Sequence, residues 1–317
     1  MNISKNSLID QHGRRMRKVR VSLLDACNFK CLYCLPDNPK FVQSKDLLNP
    51  QEIFDIVSVL QKHGIEEVRM TGGEPLLRRE FREIATGLSK LNLRKLGLTT
   101  NGKSLEGELE FLKSIKCHHL NISLDCLNAS KFKEITGSNS YDKVIQAIKS
   151  ASRMGFNVKI NVVMMRGVND DQIFDFIKFA EENNVAVRFL ELMKIGVVIE
   201  RNPNLFISMD EIVQKIETNH NLQFIQSEKD STSYNYLIDG KAQIGFIASE
   251  SKPFCGDCSR WRLSSKGKLR ACLMSSDGVD LRNIDSEKYL ELFQELLPMK
   301  PLLRGHEILE PMNQIGG

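Results

Sequence analysis

Short apolar, β-branched runs alternate with helix-periodic segments of about a dozen residues along the first two-thirds of the chain. The apolar runs predict six strands, at residues 19–24, 67–71, 96–99, 119–123, 157–164 and 186–191. The segments between them predict five helices, at residues 51–62, 80–91, 105–114, 141–154 and 171–183. Strands joined by helical crossovers predict a parallel sheet with right-handed connections. The expected fold is α/β, a partial (β/α)6 TIM-like barrel.

Local signals place the ends of several predicted helices. Pro50 suits the first turn of a helix, and Gly64 and Gly155 suit helix ends. We also expect Asp170 to cap the helix that follows it.

Turn-forming segments follow the predicted strands, where a barrel of this kind collects its chemistry. A loop containing cysteines follows the first strand, and segments 72–75, 99–102, 123–125 and 191–193 follow four of the others. Each segment alone is an ordinary turn signal, but together they outline a mouth on one edge of the sheet.

The alternation ends after Gly196, and the remaining chain predicts a different architecture. Helices are expected at about 209–218 and 286–297, and strands near 222–225, 234–238 and 243–247. We therefore predict a barrel domain at residues 1–196 and a C-terminal α+β extension at residues 197–317, which closes the barrel. The polar opening segment, residues 1–18, predicts a solvated arm, with part of an anion site as the alternative.

Composition narrows the partners that the chain can have. It contains 44 Lys and Arg against 40 Asp and Glu, a formal net charge of +4. This excess is too small for a nucleic-acid coat or a membrane-binding face, whereas a compact anionic substrate is compatible with it. No apolar run is long enough to cross a bilayer, and no apolar signal segment opens the chain. We expect a cytoplasmic protein without disulfides.

Three cysteines stand in the order C-x3-C-x2-C directly after the first predicted strand: Cys27, Cys31 and Cys34. Three thiolates on one loop can hold three irons of a four-iron cluster and leave the fourth iron open to another ligand. A structural zinc site would need four closed ligands, and the nearest histidine is His12, before the strand. Three unrelated buried cysteines are the remaining alternative, and the polar neighbours Asn28 and Lys30 disfavour it.

A second cysteine group has the spacing C-x2-C-x13-C: Cys255, Cys258 and Cys272. Zinc is the alternative for this group as well, with the distant His306 as the fourth ligand. Cys117 and Cys126 are left over, and we interpret them as small core residues.

Residues 97–104 match G-x-x-x-x-G-K-[ST], the pattern of a phosphate-binding loop. Gly97 falls inside a predicted strand, where the first glycine of such a loop should not be. We therefore reject the motif, and expect Lys103→Met to leave nucleotide binding nearly intact.

The first cysteine motif, the aromatic Tyr33 inside it and the Gly-Gly-Glu-Pro of residues 72–75 resemble the radical S-adenosylmethionine enzymes. Within them the chain resembles the GTP 3′,8-cyclase family, molybdenum cofactor biosynthesis protein A, over nearly its whole length. The further segments that carry this resemblance are Asp10, Gly13, Arg14, Arg20, Arg69, residues 99–102, 123–125 and 188–193, Lys159, CGDCSRWR at 255–262, Cys272, Gly316 and Gly317.

The resemblance implies two [4Fe-4S] clusters, one on each cysteine group, and S-adenosylmethionine on the open iron of the first. It implies that Tyr33, Gly73, Ser123 and Met193 contact S-adenosylmethionine, with a core role as the alternative for Met193. A 5′-deoxyadenosyl radical would then take hydrogen from C3′ of GTP, and the C3′ radical would attack C8 of guanine. The product, 3′,8-cyclo-7,8-dihydro-GTP, belongs to the first step of molybdenum cofactor biosynthesis.

By the same resemblance the second cluster binds the guanine base, and a set of mostly cationic residues binds the rest of GTP. That set is Arg20, Arg69, Thr100, Lys159, Arg260, Trp261 and Arg262. The implied catalytic residues are Arg20, Arg260, Arg262, Gly316 and Gly317. We expect deletion of the two glycines to abolish cyclisation while both clusters still assemble. Trp261 departs from the family pattern, which has a small residue there, and residues 194–203 are an unfamiliar linker.

The expected partners are GTP and a flavodoxin- or ferredoxin-like reductant protein; the resemblance allows a homodimer and implies neither nucleic acid nor a membrane. Two other functions stay open at this point. One is a radical S-adenosylmethionine peptide modifier with an auxiliary cluster. The other is a zinc-stabilised binding module, which would be colourless.

Overall fold

A computed structural model describes residues 8–198, 203–305 and 307–315 of the chain. The six predicted strands are present and pair in parallel in chain order. They are β1 Lys18–Ser22, β2 Glu67–Thr71, β3 Lys95–Thr100, β4 His119–Ser123, β5 Asn157–Met164 and β6 Ala186–Glu191. The predicted α/β barrel architecture is confirmed.

Helices connect these strands, and their buried residues contribute to one large apolar core. The helices of this part are α1 Pro50–Lys62, α2 Phe81–Ser89, α3 Leu109–Ser114, α4 Ala129–Thr136, α5 Tyr141–Arg153 and α6 Ile173–Asn183. Cys117 and Cys126 are fully buried in that core, as predicted.

The helix ends observed in the structure can be compared with those predicted from capping residues. Asn49 caps α1 with Pro50 in its first turn, as the proline predicted. The helix α4 was not predicted; Asn128 caps it and Gly137 ends it in the left-handed region, with φ 67°. The prediction that Asp170 caps α6 is wrong, because its carboxylate accepts instead from the backbone N–H of Gly167.

The C-terminal part adds strands to both edges of the barrel sheet. These strands are β7 Leu222–Ile225, β8 Tyr234–Ile238, β9 Ala242–Ile247, β10 Arg260–Leu263, β11 Lys268–Arg270 and β12 Val279–Asp280. The strand β9 pairs in parallel with β6, and β10 pairs in parallel with β1. The described strands form one sheet in the order β12-β11-β10-β1-β2-β3-β4-β5-β6-β9-β8-β7. Further helices in the described residues are α7 Met209–Glu217, α8 Tyr289–Leu296 and α9 Met312–Ile315.

The predicted solvated arm is wrong for its described part, residues 8–18. Met16 is completely buried and Arg14 is 7% exposed. Arg14 donates to the backbone carbonyls of Cys255, Lys300 and Pro301, and its Nε lies 2.7 Å from a carboxylate oxygen of Asp10. The segment therefore joins the start of the chain to the second cysteine group and to the C-terminal tail.

Candidate active site

Polar side chains occupy the inner face of the barrel, at alternate positions of its strands. The register places Arg20 of β1 between Arg69 of β2 and Arg262 of β10. On the opposite side, Asn161 of β5 lies beside Arg188 of β6. Residues in register on neighbouring strands share a face of the sheet, so these polar side chains line the same interior space.

Both cysteine groups line an upper cavity of about 340 Å³ at the carboxyl ends of the strands. All six predicted cluster cysteines line its wall: Cys27, Cys31, Cys34, Cys255, Cys258 and Cys272. The four residues predicted to contact S-adenosylmethionine line it as well: Tyr33, Gly73, Ser123 and Met193. The mouth predicted from the turn segments is therefore a single space shared by both groups.

The first cysteine loop is seated by a close backbone contact with the Gly-Gly pair after β2. The backbone N–H of Gly73 donates to the Leu24 carbonyl at 2.7 Å, and that of Glu74 donates to Ala26 at 2.8 Å. A Cβ at Gly73 would lie 2.3 Å from the carbonyl oxygen of Ala26. Only glycine fits there, because any side chain would push the cysteine loop away.

Glu74 links this loop to the end of β3. Its buried carboxylate accepts from the hydroxyl of Thr100 and the backbone N–H of Asn101, each at 2.7 Å, and from Leu76 at 3.1 Å. Burial raises the pKa of Glu74 to about 7, against the lowering effect of these hydrogen bonds. Thr100 lines the upper cavity, and its hydroxyl proton is directed at Glu74.

Asp125 holds the aromatic side chain of the cysteine loop. Its carboxylate accepts from the Tyr33 hydroxyl at 2.8 Å and from the backbone N–H of Val163 at 2.9 Å. Burial raises the pKa of Asp125 to about 6, although both hydrogen bonds favour its charged form. The sequence singled out residues 123–125 as a turn but gave Asp125 no role.

The donor set of the first group fits a cluster ligated by separate thiolates. Burial raises the pKa of Cys27, Cys31 and Cys34, that of Cys34 to about 12. Iron binding therefore has to displace protons from these thiols. In the described residues, no three His, Cys, Asp or Glu side chains are arranged to hold one metal ion. A four-iron cluster makes a different demand, because each cysteine binds its own iron.

The surroundings of the second group are electropositive. Arg260 Nη2 lies 3.5 Å from Cys258 Sγ, and Lys300 Nζ lies 3.4 Å from the same sulfur. Burial raises the pKa of Cys258, but the charges of Arg260 and Lys300 outweigh it and lower that pKa to about 6. A thiolate is therefore favoured at Cys258, as a cluster ligand requires.

A lower cavity of about 290 Å³ continues toward the amino ends of the strands. Cations dominate its interior: Arg20, Arg69, Lys95, Lys159, Arg188 and Arg260. Burial and the neighbouring positive charges lower the pKa of Lys159 to about 8 and that of Arg188 to about 9. Such a space is suited to a polyanion, because bound negative charge would offset the repulsion among these cations.

The two cavities meet at residues that line both, among them Arg20, Arg188 and Arg260. Arg262 lines the upper cavity, where burial and the charge of Arg260 lower its pKa to about 10. The predicted nucleotide-binding cations are therefore distributed along one continuous path. Arg188 was not assigned a role, although its position on β6, alternating with buried apolar residues, marks it as inward-facing.

Gly97 leaves room for a cation of the lower cavity. Arg69 Nη1 donates to the Leu98 carbonyl at 3.0 Å, and a Cβ at Gly97 would lie 3.0 Å from Arg69 Nη2. Gly97 lies within β3, as the rejection of the phosphate-loop motif required.

The assignment of Trp261 to the nucleotide site is wrong. Trp261 is completely buried, and its ring centroid lies 6.0 Å from that of Phe293 in α8. Strand alternation explains the placement, because Arg260 and Arg262 point into the cavity and the residue between them must point outward. The large side chain therefore fills the space between β10 and α8 and does not narrow the cavity.

The C-terminal tail also reaches the upper cavity. Met312 and Asn313 line it, and Asn313 Nδ2 donates to the Asp25 carbonyl at 3.1 Å. The predicted catalytic residues Gly316 and Gly317 lie outside the described residues, as do His306 and residues 199–202 of the unfamiliar linker.

The floor of the lower cavity is formed by the segment between β7 and β8. Lys18 Nζ lies 2.7 Å from a carboxylate oxygen of Asp230, whose other oxygen accepts from the Ser259 hydroxyl. Arg94 binds Glu228 with two hydrogen bonds, at 2.7 and 3.1 Å. The segment follows β7, at the β6 edge of the barrel sheet, and its carboxylates contact Lys18 at the start of β1. Ion pairs therefore connect the two edges of the barrel sheet at this end.

Comparisons with known proteins agree with this arrangement. Residues 21–180 match the model of the Radical SAM superfamily, and residues 185–301 match Molybdenum Cofactor Synthesis C. A protein named GTP 3′,8-cyclase from Synechocystis is 47% identical over 311 residues, which cover 98% of this chain and 95% of the relative. Another of that name from Aquifex aeolicus is 36% identical and covers 90% of each chain.

Solved structures share the fold. SuiB from Streptococcus suis, bound to S-adenosylmethionine, matches with a TM-score of 0.63 at 15% identity over 90% of this chain and 69% of its own. In the described part of the chain, no helix is long and apolar enough to cross a membrane.

Proposed function

Because the chain belongs to the GTP 3′,8-cyclase family of radical S-adenosylmethionine enzymes, we propose that it converts GTP into (8S)-3′,8-cyclo-7,8-dihydroguanosine 5′-triphosphate. This lyase reaction is the first step of molybdenum cofactor biosynthesis. One observation carries the proposal. The two cysteine groups open onto one cavity, and a cation-lined cavity continues from it.

The first cysteine group, Cys27, Cys31 and Cys34, is proposed to hold the cluster that binds S-adenosylmethionine. When bound, these two groups supply one electron and a 5′-deoxyadenosyl radical for hydrogen abstraction from C3′ of GTP. Gly73 lines the cavity, and Tyr33 is held by Asp125 on the same wall. Ser123 and Met193 complete the proposed set of contacts with S-adenosylmethionine.

The second group, Cys255, Cys258 and Cys272, is proposed to hold an auxiliary cluster near the guanine base. Arg260 contacts Cys258 and lines both cavities. We therefore propose that it lies beside the ribose, between the guanine base and the phosphates. Arg20 lines both cavities too, and Arg262 lines the upper one. We propose that these three arginines orient the ribose, which is catalysis by positioning.

The phosphates are proposed to lie among the cations of the lower cavity. Arg69 and Lys159 supply charge there, and Thr100 is proposed to contact GTP from the end of β3. A triphosphate pairs with guanidinium groups through charge-assisted hydrogen bonds, and it would add to the counter-charge that Glu67 already supplies to Arg69 and Lys159. Asp230 and Lys18 both line this cavity and are joined by an ion pair.

Anaerobic incubation with GTP, S-adenosylmethionine and a strong reductant tests the proposal. We expect the cyclised nucleotide and 5′-deoxyadenosine to form together. Formation of 5′-deoxyadenosine without GTP would favour a peptide modifier, and a colourless protein containing zinc instead of iron would favour a binding module. Cys27→Ala and Cys255→Ala are matched variants. We expect Cys255→Ala to lose GTP turnover and to keep iron at Cys27, Cys31 and Cys34. We expect Cys27→Ala to lose cleavage of S-adenosylmethionine.

The proposal includes a flavodoxin- or ferredoxin-like reductant protein, because the chemistry needs a low-potential electron. A homodimer and a cytoplasmic location are part of it as predictions. Sedimentation of the loaded protein tests the first, and cell fractionation tests the second.

A further inference from the structure

Lys300 is a buried cation whose surroundings are unusual for a lysine. It is 2% exposed, and its Nζ donates to the carbonyls of Arg260 and Ala271 at 2.8 and 2.9 Å. Its third contact is Cys258 Sγ at 3.4 Å. An ammonium group has three protons, so these three partners satisfy it completely.

The counter-charge of Lys300 comes from cysteine. In the described part of the chain, no aspartate or glutamate forms an ion pair with its Nζ. A buried ammonium group without an anion is costly, and the sulfur of Cys258 lies within hydrogen-bond reach of the Lys300 ammonium, at 3.4 Å.

Lys300 is also held in place by other elements. Arg14 donates to its backbone carbonyl at 3.0 Å and to that of Cys255 at 2.6 Å. The Arg260 and Ala271 carbonyls belong to strand β10 and to the residue that precedes Cys272. One ammonium group therefore connects a cysteine sulfur, the strand of the site arginines and the backbone next to a second cysteine.

We propose that Lys300 is a positioning residue of the auxiliary cluster, which raises the reduction potential of that cluster through its charge and its hydrogen bond to Cys258 Sγ. The inference rests on the proposed function, because it requires a cluster on Cys255, Cys258 and Cys272. Reduction adds negative charge to a cluster, and cationic donors to its sulfurs favour the reduced form. No carboxylate needs to be displaced when the cluster binds.

The test measures the potential of the auxiliary cluster alone. Cys27, Cys31 and Cys34 are changed to Ala in the full-length chain, so that iron binds only at the second group, and the cluster is titrated anaerobically with detection by electron paramagnetic resonance. In this background we expect Lys300→Met to bind the same amount of iron with a more negative potential. At a fixed potential the ratio of reduced to oxidised cluster should fall about tenfold, which is about 59 mV for one electron.

Two further variants serve as controls. Lys300→Arg keeps the positive charge and should keep most of the potential. Lys266→Met removes the same charge from an exposed site in the turn between β10 and β11, and should leave the potential unchanged. A potential in Lys300→Met equal to that of Lys266→Met overturns the inference.

Failure of Lys300→Met to bind iron is resolved by thermal unfolding of the iron-free protein. If iron-free Lys300→Met unfolds at the temperature of its iron-free parent, the lysine is needed only for the cluster, which supports its role as a positioning residue; the potential of Lys300→Arg then tests the effect of its charge. If it has lost stability without iron, Lys300 has a packing role and the inference is overturned. Absence of iron from the parent that retains Lys300 would instead refute the auxiliary cluster itself.

Discussion

Tyr33 and Asp125 are joined by a 2.8 Å hydrogen bond that connects the first cysteine loop to the segment after β4. The carboxylate is buried, and its second oxygen accepts from the backbone of β5 at Val163. The ring of Tyr33 is therefore oriented by a residue from a different crossover of the barrel.

We predict that Tyr33→Phe weakens binding of S-adenosylmethionine about tenfold, because it leaves one oxygen of buried Asp125 without its donor and frees the ring. Dissociation constants of the cluster-loaded proteins measure the effect. Tyr141→Phe is the control, since its hydroxyl donates to the Leu127 carbonyl at 3.0 Å and does not line the cavity. Equal affinities in Tyr33→Phe and Tyr141→Phe would refute a role of the pair in binding.

GTP affinity should depend on pH through Lys159. Burial, then the charges of Arg188 and Lys95, lower the pKa of Lys159 to about 8, whereas bound phosphates would raise it. Affinity is then complete below that pKa in the free protein and falls as the pH rises through it, by up to about tenfold per pH unit. Calorimetric titration across this range measures the slope. Lys159→Arg should move the inflection to a higher pH, because arginine holds its proton more tightly than lysine in the same surroundings, and an unchanged inflection would contradict the assignment.

The two faces of β10 should respond differently to mutation. Trp261→Phe removes packing against Phe293, so we expect the free energy of unfolding to fall by about 1–2 kcal/mol and the GTP dissociation constant to change less than about twofold. Arg262→Met should weaken GTP binding about tenfold or more while stability stays near that of the unaltered protein. Denaturant unfolding and equilibrium binding measure the two effects. A loss of GTP affinity in Trp261→Phe comparable to that in Arg262→Met would return Trp261 to the nucleotide site.

Gly97→Ala should weaken GTP binding about tenfold, because the added methyl group would press on Arg69 and on the His119 carbonyl, each 3.0 Å away. Gly107→Ala is the matched control. A Cβ at Gly107 meets nothing within 4 Å, so we expect unchanged binding and stability equal or higher by up to about 1 kcal/mol. Equal GTP affinity in both variants would show that Arg69 does not need its present position.

Periodicity predicted the barrel strands because each alternates or is apolar throughout and is bounded by turn residues. It missed β10, whose sequence is Arg-Trp-Arg-Leu. The charged residues of this strand face the interior of the barrel and the apolar ones face the helices outside it. Alternation of apolar and polar residues is normally interpreted with the charged face toward solvent, so this strand was not recognised. It missed α4 because eight residues, with Phe132 and Ile135 as the buried apolar side chains, are too few for a helical period.

The cysteines and the arginines at positions 20, 69, 260 and 262 were predicted from spacing and resemblance, whereas Arg188 was given no role. Lys300 was not predicted, and Arg14 was named by resemblance without a role, because their partners are distant in sequence: Arg14 contacts Pro301, and Lys300 contacts Cys258. No local pattern distinguishes a buried lysine from the exposed ones around it. Such residues are recognised only when the fold brings their partners together.

The exposed ion pair of Arg94 with Glu228 makes the amino end of the barrel sensitive to salt in a way that its strands are not. A ladder of backbone hydrogen bonds yields only when several break together, whereas a carboxylate and a guanidinium group exchange partners with dissolved ions individually. A high salt concentration should therefore release the segment between β7 and β8 from the lower cavity first, and leave the sheet from β1 to β6 intact.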